Sequence, residues 1–219
     1  MYQRFDDISA VEGIFKVEII GDAYFGVAGC PTPHQQHAEK CARGALAMID
    51  AVESMKIDTP ALAAANVQIR IGVHSGAVVA GVVGMKDPRY HLFGDTVTYA
   101  NLMESEGIPG KVQCSDRTAQ ELQDICTREH CTLESTRGFK LIPRGEIDIK
   151  GVGRRSTWFI ERVLSGKIIG GSYIAESEKL PVTSSKFSRA KSSNSVALAA
   201  WDEEEDVDVE AIHVPAVDF

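Results

Sequence analysis

No run in this 219-residue chain approaches the roughly 20 apolar residues needed to cross a bilayer, although 44% of its residues are hydrophobic. The N-terminus lacks the basic, then apolar, then small-residue order of a signal peptide. Positive charge is also scarce. With 23 Lys and Arg against 31 Asp and Glu, the formal charge is -8 and the pI near 5.3. That balance excludes the nonspecific affinity for nucleic acid or anionic lipid that clustered cations provide. The five cysteines (Cys30, Cys41, Cys114, Cys126, Cys131) are odd in number and show no CxxC or Cys/His ligand spacing, so neither a disulfide framework nor a zinc site is indicated. A reducing, cytoplasmic setting is expected, with no nucleic-acid partner and no membrane segment in the chain.

What is present suffices for one domain and a tail. From Ile14 to Gly29 two apolar runs flank Gly21-Asp22, a pair suited to closing a hairpin between adjacent strands. Thr32-Pro33 reads as an N-cap with proline at the first helical position, and Ala38, Cys41, Ala42, Ala45, Ile49 and Val52 recur at helical spacing to about Met55. Val67, Ile69, Ile71 and Val73 alternate with Gln68, Arg70 and Gly72, predicting a strand that turns at Ser75-Gly76 into a second, Ala77 to Val83. A helix is expected from Asp95 to Gly107, then a short strand, Lys111 to Cys114. Ser115-Asp116 caps a helix through Ile125, and closing strands lie at Phe139 to Ile142, Glu146 to Lys150 and Thr157 to Val163.

Hairpins mixed with crossing helices predict an α+β sandwich, helices packed on a largely antiparallel sheet. The domain is expected over 1–165. After Val163 the composition shifts to Ser, Lys and Ala, then to an acidic run at Asp202 to Asp206, so 166–219 is expected to be a disordered, solvated tail.

Three segments carry the chemistry: Lys16-Val17-Glu18-Ile19-Ile20-Gly21-Asp22-Ala23-Tyr24, Arg70-Ile71-Gly72-Val73-His74-Ser75-Gly76, and Tyr90-His91-Leu92-Phe93-Gly94-Asp95-Thr96-Val97. A fourth, Ile149-Lys150-Gly151-Val152-Gly153, precedes Trp158-Phe159. Each alone is weak, since Gly-Asp turns and strand-end lysines are common. Together and in this order they resemble the signature stretches of class III nucleotidyl cyclase catalytic domains, of the guanylyl-preferring kind, over residues 1 to about 163.

The resemblance implies a ferredoxin-like cyclase sandwich whose opening strand, with most of the first helix, is absent from this sequence. It implies conversion of GTP to cyclic GMP and pyrophosphate, two Mg2+ or Mn2+ ions held by two carboxylates, and a site formed between two domains. The partner would be a second copy or another cyclase domain. Asp22 matches the second carboxylate. The first belongs to a Phe-x-Asp-Ile segment not found here, and Asp6 and Asp7 lie where the family ends its first helix, so they are no substitutes.

Glu18 stands at the first base-reading position, where a carboxylate accepts from guanine N1–H and the 2-amino group. His91 stands at the second, where the guanylyl pattern has cysteine; an imidazole donates to guanine O6 or accepts from adenine N6 and discriminates poorly. The family's ribose-orienting asparagine and transition-state arginine fall on Thr98 and Leu102, and Lys150 matches the lysine on the β- and γ-phosphates. Leucine binds no phosphate, so turnover is expected to be weak or absent in the isolated chain. Arg154 and Arg155 lie beyond the motif and read as surface charges; His74, His34 and His37 have no matching role and read as surface or structural. Two alternatives stay open: a catalytically impaired pseudocyclase serving as a nucleotide-binding and dimerisation module, and an adenylate cyclase.

Overall fold

A computed structural model of the chain describes residues 1–58, 64, 67–149, 151–163 and 194–200. Helix α1 (Tyr2–Glu12) ends at Gly13, whose left-handed φ of 71° lets its N–H return to the Ser9 carbonyl. The hairpin follows as read from sequence: β1 (Phe15–Ile20) and β2 (Ala23–Ala28) pair antiparallel about Gly21-Asp22, with Gly21 at φ 63°. A bulge shifts the register between Lys16 and Glu18.

Helix α2 (His37–Asp58) starts four residues later than the Thr32-Pro33 pattern predicts. A turn intervenes, in which the His37 N–H donates to the His34 carbonyl and the Gln36 N–H to His34 Nδ1. These bonds occupy the groups that would have opened the helix. Strand β3 (Ile69–Ser75) is as expected, but β4 (Val79–Val83) does not fold back on it. It pairs with β5 (Arg89–Phe93) in a separate two-stranded sheet. Then come α3 (Asp95–Ser105), β6 (Val112–Ser115), α4 (Asp116–Arg128), a π-helical turn (Leu133–Arg137), β7 (Phe139–Ile149) and β8 (Gly153–Arg162). The Ser115 hydroxyl caps α4 by accepting from the Thr118 N–H.

The tail expectation is corrected at one point. Asn194–Ala200 form a ninth strand, β9, inside the main sheet, whose order is β1-β2-β9-β3-β6-β8-β7. Polar residues upstream argue for a solvated segment, but Val196-Ala197-Leu198-Ala199-Ala200 is an apolar run, and its backbone pairs in parallel with β2 on one side and β3 on the other. The rest of the expected tail lies outside the described residues.

The sheet is buried on both faces where the core is deepest. Tyr24 and Ala28 of β2, with Ile69, Ile71 and Val73 of β3, face Phe5, Cys41, Ala45, Met48 and Leu122. Phe25 and Val27 face the opposite cluster with Val78, Leu92 and Ala100. On that second side α3 presses on β3 at Gly72, where an added Cβ would stand 2.1 Å from the Glu104 nitrogen. Only glycine allows so close an approach.

Candidate nucleotide site

The hairpin β1–β2 carries two of the expected site residues. The bulge at its start re-aims the side chains beyond it, as bulges do, and Glu18 emerges half-buried. Strand β5 is laid alongside by an edge-on ring contact between Phe15 and Tyr90, centroids 5.3 Å apart, and by the Tyr90 hydroxyl, 2.9 Å from Cys30 Sγ. That places His91 Nδ1 3.5 Å from Glu18 Oε1. Both side chains keep about a third of their surface open, 30% for His91 and 32% for Glu18. The pair can therefore meet a ligand.

Asp22 sits exposed at the hairpin tip, its carbonyl accepting from the Tyr2 hydroxyl at 2.8 Å. Asp6 is engaged elsewhere, by Lys16 Nζ at 2.8 Å and the Tyr24 hydroxyl at 3.1 Å. Burial, followed among the raising influences by the Asp6 carboxylate, pushes the Tyr24 phenol up to about 12, so it stays a donor at neutral pH. Among the described residues no three His, Cys, Asp or Glu side chains converge. Asp22, one exposed carboxylate, does not fit a two-ion site within a single chain.

Helix α3 follows its N-cap Gly94, at φ 122°, and is pinned by the Thr96 hydroxyl donating to the Ala77 carbonyl at 2.5 Å. Thr98 and Leu102 lie one turn apart on it, Thr98 exposed and Leu102 half-buried. Lys150 lies outside the described residues.

Beside α3 runs a cleft of about 380 Å³ that sequence reasoning did not identify; Tyr99, Arg117, Arg154 and Arg155 are among its walls. The surface arginines thus line it. His74 also lines it, its ring stacked on Tyr99 with centroids 5.0 Å apart and its Nδ1 2.7 Å from Ser115 Oγ. Burial, with the Arg117 charge second, lowers its pKa to about 4, so it is neutral near pH 7. His37 pairs in the interior with Glu121 at 2.8 Å, and His34 is exposed.

Residues 1–162 match the family model of the adenylate and guanylate cyclase catalytic domain. The chain belongs to this family. Soluble guanylate cyclase subunit beta-2 of Rattus norvegicus is 44% identical over 161 residues, 73% of this chain and 21% of the relative. The Homo sapiens subunit beta-2 is 37% identical over 212 residues, 92% of this chain and 32% of the relative, so that match runs on past Arg162. The chain spans between a fifth and a third of these relatives. The guanylate cyclase domain of RhGC from Catenaria anguillulae, solved with GTP, superposes with TM-score 0.57 at 27% identity, covering 74% of this chain and 80% of that one. The architecture is therefore the α+β sandwich of class III cyclase domains. Among the described residues no helix is long and apolar enough to cross a membrane.

Proposed function

We propose that this cyclase-family chain binds GTP in preference to ATP at an interface with a second cyclase domain, where it supports at most weak formation of cyclic GMP. The observation that carries the reading is the Glu18–His91 pair. A carboxylate accepting from guanine N1–H and 2-amino, with an imidazole donating to O6, matches the guanine edge; adenine has no donor pair for Glu18. Guanylate cyclases among the relatives support the same substrate.

The chain's own residues would act by binding and orientation. Glu18 and His91 hold the base, Thr98 gives a weak ribose contact, and Lys150 adds a point charge toward the outer phosphates. Divalent ions supply charge neutralisation in this family, and Asp22 is the group this chain offers toward them. The second domain, a copy of this chain or another cyclase domain, completes the site, in a cytoplasmic setting.

The pseudocyclase reading is favoured by Leu102, whose half-buried apolar side chain stands where a phosphate-facing cation belongs. Displacement of a fluorescent GTP analogue by GTP and by ATP tests base preference apart from turnover. Cyclic GMP assayed for the chain alone, and mixed with a complete cyclase domain, then separates enzyme from pseudocyclase. Equal or reversed base preference overturns the proposal.

A further inference from the structure

The position of β9 carries an inference independent of any nucleotide chemistry. Strands β2 and β3 are neighbours of β9 and not of each other. Ala23 to Ala28 stand opposite Ser195 to Ala200 on one side, and Ile69 to Ser75 opposite Asn194 to Ala200 on the other, both parallel. Without this segment two rows of backbone N–H and C=O groups would lie unpaired in the middle of a sheet covered on both faces, a penalty no sheet edge incurs. The register is specific as well. Ala197 is registered beside Gly72, the point where α3 meets the sheet backbone, and Leu198 beside Gly26.

Direction matters too. Parallel pairing sets Ser195 beside Ala23, next to the Gly21-Asp22 turn, and Ala200 at the far end beside Ala28 and Ser75. The strand end nearest Asp22 is thus Asn194-Ser195, which adds no carboxylate there.

We propose that β2 and β3 form an acceptor slot for an extended strand, that the chain's own residues 194–200 fill it and thereby hold the domain closed, and that the slot takes up the same segment from a separate peptide. The docked segment joins the hairpin bearing Glu18 and Asp22 to the strand leading to His74. Its loss separates them.

Hydrogen exchange on the full chain is the first test. Amides of 195–200 should exchange as slowly as those of Phe25 to Ala28 and Ile71 to Val73; exchange at unstructured rates overturns the proposal. Ala197→Pro, which removes a central donor, should strip protection from β2 and β3 and lower the melting temperature by roughly 10 °C or more. Excess synthetic peptide of residues 192–203 should restore the protection. Retained protection without peptide, or no recovery with it, overturns the slot. Should that variant not fold, Ala23→Cys with Ser195→Cys still decides: registered partners lie within disulfide reach, so mild oxidation should give a cross-linked monomer. A cross-linked dimer would mean that a second copy fills the slot, and no cross-link would mean that the slot is not filled by this segment; either overturns the proposal.

Discussion

His91 Nδ1 lies 3.5 Å from Glu18 Oε1, across the junction of β5 and β1, with both side chains about one-third exposed. The contact depends on the bulge beyond Lys16 and on Tyr90, which clamps β5 to Phe15 and Cys30.

If this pair reads the base, Glu18→Lys should erase the preference for GTP over ATP. Loss of a hydrogen-bonded polar match leaves buried donors unpaired, so GTP affinity should fall at least about tenfold while ATP affinity holds or rises. Competitive displacement titrations of both nucleotides check this. An unchanged ratio would remove Glu18 from base recognition.

Which parts were legible in the sequence follows from how local their causes are. The β1–β2 hairpin, β3 and the α4 cap announce themselves through alternation, Gly21-Asp22 and Ser115-Asp116, all short-range signals. Glu18 and His91 were found as a pair through family resemblance, yet the bulge and the Tyr90 clamp that join them leave no pattern in the chain. The β4–β5 pairing was hidden because Ala77 to Val83 reads equally well against either neighbour. Strand β9 was missed because five apolar residues, Val196 to Ala200, after a Ser- and Lys-rich stretch mean little until β2 and β3 are seen to need a strand between them. Lys150 lies outside the described residues, so its part in the site rests on the motif alone.

Gly72→Ala tests the close packing of α3 on β3. A Cβ there would stand 2.1 Å from the Glu104 nitrogen and 2.5 Å from the Ala100 carbonyl oxygen, both backbone atoms that move only with α3. Overpacking against rigid backbone costs about 3 kcal/mol or more. Urea denaturation should show that loss, or the variant should fail to fold; near-wild-type stability would mean that α3 is free to shift outward.

His74 predicts a pH dependence. Its pKa is about 4 in the folded chain against 6.5 for an ordinary imidazole, through burial first and Arg117 second. The unfolded state therefore takes up the proton first. Its contribution is fully present above about pH 6.5 and drains away as pH falls towards 4, by at most about 3 kcal/mol. His74→Gln should flatten this part of the stability curve measured by denaturant titration between pH 7 and 4. An unchanged slope would assign the acid sensitivity to other groups.

Turnover depends on α3. Leu102 stands where the family resemblance places a charge-stabilising arginine, and Thr98 where it places the ribose-orienting asparagine; loss of one such donor typically costs about a hundredfold or more in rate. Asp22 is a single exposed carboxylate, with no cluster of acidic or imidazole ligands among the described residues. The two deficits need not add, since groups acting on one transition state rarely do. Together they still set the expectation at about three orders of magnitude below an intact cyclase domain. Thr98→Asn with Leu102→Arg should leave the chain alone nearly inactive, because neither change adds a carboxylate. The outcome should differ when the chain is mixed with a cyclase domain that keeps both carboxylates but has lost its own transition-state arginine. There the only arginine comes from the substituted α3, and cyclic GMP formation should exceed that of the unsubstituted mixture by about a hundredfold. Equal rates in the two mixtures would show that α3 does not face the nucleotide, and brisk cyclic GMP production by the unmodified chain alone would show that other residues already do the work assigned to the missing ones.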